Sequence, residues 1–195
     1  MDRTDGHERR TIERIDGAAM RSQVERWVMV NSGTHNVAGL GTMAGLLADA
    51  FATLPGEVSL VDPDPVETVD ADGTVRAIDH GRHLLVRVRP QAPVRMLFTG
   101  HMDTVYGATH AFQTMQYIDA DTLNGPGAAD MKGGLSVMLA ALKAVEAAEI
   151  GDHFGYDVMI NSDEETGSFS SARLIERVAR GKVAAFTYEP ALPDG

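Results

Sequence analysis

The stretch VRMLFTGHMD, Val94–Asp103, is a continuous apolar run that ends in two polar residues. A run of this kind is typical of a central strand with neighbours on both sides. His101 and Asp103 stand two positions apart, and in extended chain such residues point the same way. Asp103 can therefore lie beside the His101 ring and orient it, as a carboxylate does behind a metal-ligating histidine. The alternative is a polar loop at the edge of a sheet.

The segments that follow this stretch alternate between helix and strand patterns. They are an apolar helix at Leu135–Ala148, a buried strand at Asp157–Asn161, an amphipathic helix that ends at Gly181, and a last strand at Val183–Tyr188. This alternation predicts an α/β fold, a three-layer α/β/α sandwich around a mixed, largely parallel sheet. Ligands of such sheets collect at the carboxyl ends of the strands.

The N-terminal half predicts two helices and two further strands. The helices are expected at Gly17–Val30 and at Val37–Leu54, the second closed by Pro55 and Gly56. Residues 57–63 are predicted to form a strand, and residues 62–73 a polar, turn-rich connection. His83–Pro90 alternates apolar and basic residues, which favours an edge or half-exposed strand. Residues 1–16 are expected to be flexible, and residues 17–195 to form one domain.

The composition limits the kinds of function that the chain can have. A formal net charge of −11 argues against nucleic acid and anionic membranes as partners. The chain has no cysteine, so any metal must be held by His, Asp and Glu. No apolar signal-peptide core and no run of transmembrane length is present, which predicts a cytoplasmic protein.

The segment GPGAADMKGG, Gly125–Gly134, has glycines that permit a tight backbone path before a helix. Gly125 and Gly127 match the first two positions of the dinucleotide fingerprint GxGxxG, but the third position is Asp130. Its charge would repel a pyrophosphate, so a dinucleotide loop is excluded. A helix cap is the commoner use of an aspartate in this place.

The segment NSDEETGS, Asn161–Ser168, places three successive acids at the end of an apolar strand. Such a row is electrostatically costly unless a cation or a proton compensates it. Successive side chains of extended chain point to opposite sides, so Glu164 and Glu165 can act differently, one as a ligand and one in proton transfer. A solvated acidic loop is the alternative.

Carboxylates and one histidine thus stand at four separate segment ends. Glu189 ends the last predicted strand, as His101 ends the first of this series. A pocket lined by His, Asp and Glu without Cys suits zinc or another borderline divalent ion. The pattern as a whole therefore predicts a metal site at one edge of the sheet.

Five motifs, in this order, resemble the zinc-dependent aminoacylase and carboxypeptidase family, which includes glutamate carboxypeptidase, acetylornithine deacetylase and succinyl-diaminopimelate desuccinylase. The matching stretches are NSGT (Asn31–Thr34), GHMDTVYG (Gly100–Gly107), GPGAADMKGG (Gly125–Gly134), NSDEETGSFSS (Asn161–Ser171) and YEP (Tyr188–Pro190). The resemblance implies a metal-dependent hydrolase that cleaves the amide bond of an N-acyl amino acid or small peptide with a free carboxylate. It also implies a dinuclear-zinc exopeptidase-like fold.

The resemblance assigns a role to each candidate site residue. Asp130 would bridge two Zn²⁺ ions, with Co²⁺ or Mn²⁺ as alternative metals, and a cis peptide bond would follow it. His101 and Glu189 would bind one zinc, and Glu165 would bind the other. Asp103 would orient His101. Glu164 would be the general base that activates a zinc-bridging water.

The resemblance also implies that residues 17–195 are the N-terminal part of a longer catalytic domain. A further zinc-ligating histidine, the oxyanion groups and a lid or dimerisation domain are then expected outside this chain, and a homodimer is expected for the full-length form. The other histidines, His83 among them, are expected to be solvated or capping residues. Two alternatives stay open: a catalytically incomplete metal-binding fragment or interaction protein, and a dizinc aminopeptidase that needs a free substrate amine.

Overall fold

The structure is a computed structural model that describes residues 6–148 and 153–191. Its helices are α1 (Gly6–Ile12), α2 (Gly17–Val28), α3 (Val37–Phe51), α4 (Gly134–Glu146) and α5 (Ala172–Ala179). Its strands are β1 (Glu57–Val61), β2 (Val66–Val69), β3 (Val75–Ile78), β4 (His83–Val88), β5 (Arg95–His101), β6 (Gln116–Tyr117), β7 (Leu123–Asn124), β8 (Gly155–Asn161) and β9 (Ala184–Thr187).

A five-stranded sheet with the order β1-β4-β8-β5-β9 forms the middle layer. The pairs β1/β4 and β4/β8 are antiparallel, and the pairs β8/β5 and β5/β9 are parallel. The sheet is therefore mixed, with the three parallel strands together on one side. Because β5, β8 and β9 run the same way, their carboxyl ends meet at one edge.

Helices cover both faces of this sheet, which confirms the predicted three-layer α/β/α architecture. One face packs on α3 and α4 through a core that includes Leu84, Val86, Val158 and Ile160. The opposite face packs on α5 through a smaller core built from Leu85, Leu97, Met159, Leu174 and Val178. Neighbouring residues of one strand thus belong to different cores, as the period of a strand requires.

Side-chain caps start two of the predicted helices. The carboxylate of Asp16 accepts hydrogen bonds from the amides of Ala18 and Ala19, both at 3.0 Å. Asn36 accepts one from the Gly39 amide at 3.1 Å. Caps of this type contribute about 1 kcal/mol each to helix stability. They place the starts of α2 and α3 where the sequence predicts them.

Three regions differ from the sequence-based expectations. The strand β4 is not an edge strand: it lies between β1 and β8, and only Arg87 among its residues is exposed. Its alternating pattern misleads because both of its faces are covered by helices. Residues 62–73 are not only a connection, since they contain β2, which pairs antiparallel with β3 just beyond them. Within residues 1–16, where flexible chain is expected, α1 is helical.

His83 is buried rather than solvated or capping, with 0% of its surface exposed. Its Nδ1 accepts a hydrogen bond from the Ser162 amide at 3.3 Å. Burial lowers the pKa of His83, and the charges of Asp163 and Asp64, which act in the opposite direction, do not restore it. The folded protein therefore favours the neutral form of this ring.

Acidification is expected to destabilise the protein in part through His83. The unfolded chain takes up a proton near pH 6.5, whereas the folded chain resists it, so the free energy of unfolding falls as pH drops below about 6.5. The variant His83→Gln should show a smaller fall between about pH 7.5 and about pH 5.5 in urea denaturation. A matched control is His153→Gln, at an exposed histidine. Equal falls in the His83 variant and in the unsubstituted protein would contradict the prediction.

Within the described part of the chain, no helix combines the length and the apolar character needed to cross a lipid bilayer.

Candidate metal centre

The three parallel strands bring separate motifs to one edge of the sheet. His101 is the last residue of β5, and it lies beside Asn161, the last residue of β8. A single 3-10 turn at Glu164–Thr166 follows β8, and Glu189 follows the end of β9. The topology therefore collects residues that are up to 88 positions apart in the chain (189 − 101).

Asp130 reaches the same edge from a kinked turn, Ala128–Gly133, that leads into α4. The backbone angles of Asp130 and Met131 are not helical, and a cis peptide bond joins the two residues, as the resemblance implies. The Met131 sulphur accepts a hydrogen bond from the His101 amide at 3.1 Å. This contact fixes the turn against the end of β5.

Gly134 allows α4 to begin directly against the segment that carries Glu189. A Cβ atom added to Gly134 would lie 2.0 Å from the carbonyl oxygen of Tyr188, much closer than two such atoms can approach. Any side chain at this position would therefore displace Tyr188 and its neighbour Glu189. The glycine at the first position of α4 thus has a packing reason.

The side chains of these segments converge on one point. His101 Nε2 lies 2.9 Å from Asp130 Oδ1 and 3.6 Å from Glu189 Oε2. One atom each of His101, Asp130 and Glu165 lies within 4.8 Å of the others. The His101 side chain is buried, while those of Asp130 and Glu189 are 52% and 41% exposed. The cluster therefore has a closed floor and an open, acidic mouth.

The His101 ring directs its Nε2 at this cluster. Its Nδ1 lies 3.0 Å from the backbone carbonyl oxygen of Asp103 and 3.3 Å from Oδ1 of the same residue. Since both of these atoms are acceptors, the ring hydrogen belongs on Nδ1. In the neutral ring, Nε2 then faces carboxylate oxygens without a hydrogen between them. A proton or a cation must occupy that position.

The charges of the site also indicate that a proton or a cation belongs among these side chains. Burial alone would lower the pKa of His101, but the hydrogen bond and charge of Asp103 and the charges of Glu189 and Glu164 raise it to about 9. Burial raises the pKa of Glu165 and Glu189, and the neighbouring carboxylates raise it further against the opposing effect of His101. Crowded carboxylates resist ionisation unless a positive charge is present.

Asp103 joins the parts of the site. Its Oδ1 accepts a hydrogen bond from the Glu164 amide at 3.1 Å, and its Oδ2 accepts one from the Glu165 amide at 3.2 Å. Oδ2 also accepts a hydrogen bond from the Thr34 hydroxyl at 2.7 Å. The residue is 0% exposed, so these donors replace water around a buried carboxylate.

Asp163, the first of the three successive acids, has a different place. It is fully buried and accepts hydrogen bonds from the Ser170 amide at 2.7 Å, the Ser170 hydroxyl at 2.8 Å and the Ser171 hydroxyl at 2.7 Å. Burial would raise the pKa of Asp163, but these hydrogen bonds outweigh it and lower the pKa. Serine donors rather than a metal compensate this charge. The repeated serines of SFSS are the sequence signal for that arrangement.

Two buried residues near the site were missed by the sequence reasoning. Thr34 belongs to the NSGT motif, to which the sequence alone assigns no role. Lys132 is 1% exposed, and its ammonium donates to the carbonyl oxygen of Val30 at 2.9 Å. Burial lowers the pKa of Lys132 to about 8. A lysine in an apolar segment gives little signal from sequence alone, because most lysines are exposed.

The motifs and their geometry agree with a known protein family. Residues 97–195 match the profile of Peptidase family M20/M25/M40. The chain belongs to this family. Within the M20 profile lie the candidate residues His101, Asp103, Asp130 and Glu189 and the acidic pair that follows β8.

Comparisons with individual proteins place this M20-family chain among longer relatives. Carboxypeptidase G2 of Pseudomonas sp. (strain RS-16) is 33% identical over 110 residues, which make up 56% of this chain and 26% of that protein. Human carnosine dipeptidase 1 matches with a TM-score of 0.72 and 20% identity, over 90% of this chain and 39% of its own. The M20 family metallo-carboxypeptidase Sso-CP2 from Sulfolobus solfataricus matches with a TM-score of 0.70 and 17% identity. That match covers 93% of this chain and 39% of the Sso-CP2 chain.

At these identities, the two solved structures show a shared fold. The present chain spans 26% of the length of the carboxypeptidase and 39% of each of the two structures. It therefore corresponds to less than half of each of these relatives.

Proposed function

We propose that this chain carries the metal-binding part of a hydrolase that cleaves the amide bond of an N-acyl amino acid or a small peptide with a free carboxylate. The convergence of a His101 ring nitrogen with carboxylate oxygens of Asp130 and Glu165 carries the proposal. Residues 17–195 would be the N-terminal part of the catalytic domain. Family membership supports the reaction class, and the similarity to a carboxypeptidase supports the free carboxylate of the substrate.

The donor set fits two divalent ions of the zinc type. Imidazole and carboxylate donors suit Zn²⁺, and Co²⁺ or Mn²⁺ accept similar ligands. His101, Asp130 and Glu189 would hold one ion, while Asp130 and Glu165 would hold the other. Asp130 can serve both because a carboxylate has two oxygens. The lone pair of His101 Nε2 and the crowded acids would then face positive charge.

When bound, the metal supplies Lewis-acid chemistry, which polarises the scissile carbonyl and makes a water molecule more acidic. Glu164 supports the proton transfers of the reaction. Its Oε2 lies 3.9 Å from His101 Nε2, and its side chain is 49% exposed. From there the carboxylate can accept a proton from the attacking water and donate it to the departing amide nitrogen. Water thereby adds a hydroxyl to the carbonyl carbon and a hydrogen to the nitrogen.

The backbone of the site holds Glu164 for this task. Its amide donates to Asp103 Oδ1, so the residue is fixed while its carboxylate stays free to move a proton. Asp103 meanwhile keeps the His101 ring in place through its own carbonyl and carboxylate. Asp103 is thus proposed as a residue that positions both the ligand and the base.

Zinc binding and hydrolysis together test the proposal. The purified chain is freed of metal, reconstituted with ZnSO₄ and analysed for zinc per chain, with circular dichroism to check the fold. We expect at least one zinc ion per chain, held by His101, Asp130 and Glu189. The second ion should bind more weakly, because a further histidine ligand is expected outside this chain. Rates are then compared between N-blocked dipeptides and the same dipeptides with a free amine and an amidated carboxyl end.

Each outcome has a distinct meaning. Zinc binding with preferred cleavage of the N-blocked substrates supports the proposal. Preferred cleavage of the free-amine substrates would identify an aminopeptidase instead. Zinc binding without any hydrolysis would favour a metal-binding or interaction role for this chain, and the absence of zinc binding would overturn the proposed site.

A further inference from the structure

The segment Asn31–Thr34 runs beside the chain that leaves β5. The Thr104 amide donates to the carbonyl oxygen of Ser32 at 3.0 Å, and the Thr34 amide donates to that of Thr104 at 3.2 Å. Gly33 and Thr104 form a parallel β-bridge. This segment, which lies outside residues 97–195 of the family match, is therefore paired to the backbone next to Asp103.

Thr34 makes the shortest hydrogen bond of the Asp103 carboxylate, at 2.7 Å from its hydroxyl to Oδ2. Both residues are buried, with 5% and 0% of their surfaces exposed, so water does not replace this donor easily. Hydrogen bonds from a hydroxyl to a charged acceptor are stronger than neutral ones. Thr34 therefore restricts the rotation of a carboxylate that also touches His101 and the two glutamate amides.

We propose that Thr34 is a positioning residue of the metal centre, acting through Asp103. The hydroxyl holds Oδ2 in the orientation in which the carboxylate accepts the amides of Glu164 and Glu165. The same orientation keeps Oδ1 at 3.3 Å from His101 Nδ1. Loss of the hydroxyl loosens the histidine and the acidic turn together, which weakens metal binding. The inference rests on the proposed function, since it assumes that a metal binds there.

A second contact joins Val30 to the turn that carries Asp130. The Lys132 ammonium donates to the carbonyl oxygen of Val30, the residue just before the Asn31–Thr34 segment. Lys132 is two positions after Asp130, and its amide bonds to the Gly127 carbonyl oxygen at 2.9 Å. The chain from Val30 to Thr34 thus contacts the turn that carries Asp130 at one end and Asp103 at the other. This N-terminal segment can therefore fix the position of Asp130 relative to Asp103.

The test compares zinc affinities of the chain with substitutions at position 34. Thr34→Val removes the hydroxyl and keeps the shape, whereas Thr34→Ser keeps the hydroxyl and removes the methyl group. Affinity for Zn²⁺ is measured by competition with a chromogenic chelator, and apparent melting temperatures are measured without metal. We expect Thr34→Val to bind Zn²⁺ roughly tenfold more weakly, in the range of lost outer partners of metal ligands. Thr34→Ser should bind within about twofold of the unsubstituted chain.

A matched control separates positioning from general stability. Ser136→Ala also removes a buried hydroxyl, but one that donates to the side-chain oxygen of Gln23 in α2 at 3.0 Å rather than to a residue of the metal centre. It should lower the melting temperature without changing zinc affinity. If Thr34→Val does not fold, Thr34→Ala replaces it in the same comparison.

The outcomes distinguish the inference from the proposed function. Equal zinc affinity of Thr34→Val and the unsubstituted chain would overturn the role of Thr34 while leaving the metal site intact. A weaker affinity of Thr34→Ser, equal to that of Thr34→Val, would also overturn it, because the hydroxyl would then not be the cause. If the unsubstituted chain bound no Zn²⁺, the proposed function would fail and the inference with it.

Discussion

Replacing Glu164 with glutamine is expected to lower the rate of hydrolysis by about 10²–10⁴-fold, the usual contribution of a general acid–base group. Zinc binding should stay close to that of the unsubstituted chain. Glutamine has nearly the same shape as glutamate but cannot accept the proton of the attacking water. The metal-facing group of His101, Asp130 and Glu165 remains complete in this variant. The hydrogen bond from the residue 164 amide to Asp103 also remains.

The measurement pairs steady-state hydrolysis of an N-blocked dipeptide with zinc per chain. Glu176→Gln is a suitable control, since that glutamate pairs with Arg180 on the exposed side of α5. Its rate and its zinc content should both match those of the unsubstituted chain. Glu165→Gln should instead lose zinc affinity. Retention of more than about a tenth of the rate in Glu164→Gln would contradict the role of Glu164 as the base.

Replacing Asp130 with asparagine is expected to weaken zinc binding more than about a hundredfold, beyond the effect of losing an outer partner of a ligand. The change removes the charge of the carboxylate that lies 2.9 Å from His101 Nε2. It also removes one of the two oxygens that a bridging ligand needs. Under the proposed arrangement, both ions lose a ligand at once, so the zinc content should fall for the whole site rather than by half.

Isothermal titration with Zn²⁺ and thermal unfolding with and without Zn²⁺ measure this effect. A metal that binds only the folded state raises its stability, and the rise disappears when affinity is lost. Asp49→Asn, at an exposed aspartate of α3, provides the control and should keep the full rise. A zinc-dependent rise in Asp130→Asn equal to that of the control would count against Asp130 as a ligand.

Much of the fold could be predicted because its signals are local. Apolar runs and helical spacing gave the helices and strands from Leu135 onward, and their alternation gave the parallel pairs of β5, β8 and β9. The prediction that β4 is an edge or half-exposed strand was wrong. Alternation normally marks a half-exposed strand, while here α3 and α5 cover the two faces of the sheet at β4. The hairpin of β2 and β3 was missed because its strands are short, lie in a segment rich in Asp and Pro, and expose Val69 and Val75.

The candidate site was predictable in its chemical groups and less so in its connections. Motif spacing and strand ends pointed to His101, Asp130 and Glu165, and the structure brings these three together. The contact between Thr34 and Asp103 joins residues 69 positions apart, and no local pattern announces such a pair. Asp163 could not be separated from its acidic neighbours either, because its partners are serines that fold back on it.

The two amides bound by Asp103 have a consequence for engineering of the site. Since one carboxylate anchors the backbone of Glu164 and Glu165 together, a change at Asp103 would disturb the proposed base and the proposed ligand at the same time. A shorter side chain at position 165, as in Glu165→Asp, would draw back the ligand oxygens while the anchored backbone keeps the base in place. Under the proposed roles, the length of the residue 165 side chain can thus change the position of the ligand oxygens while Glu164 stays in place.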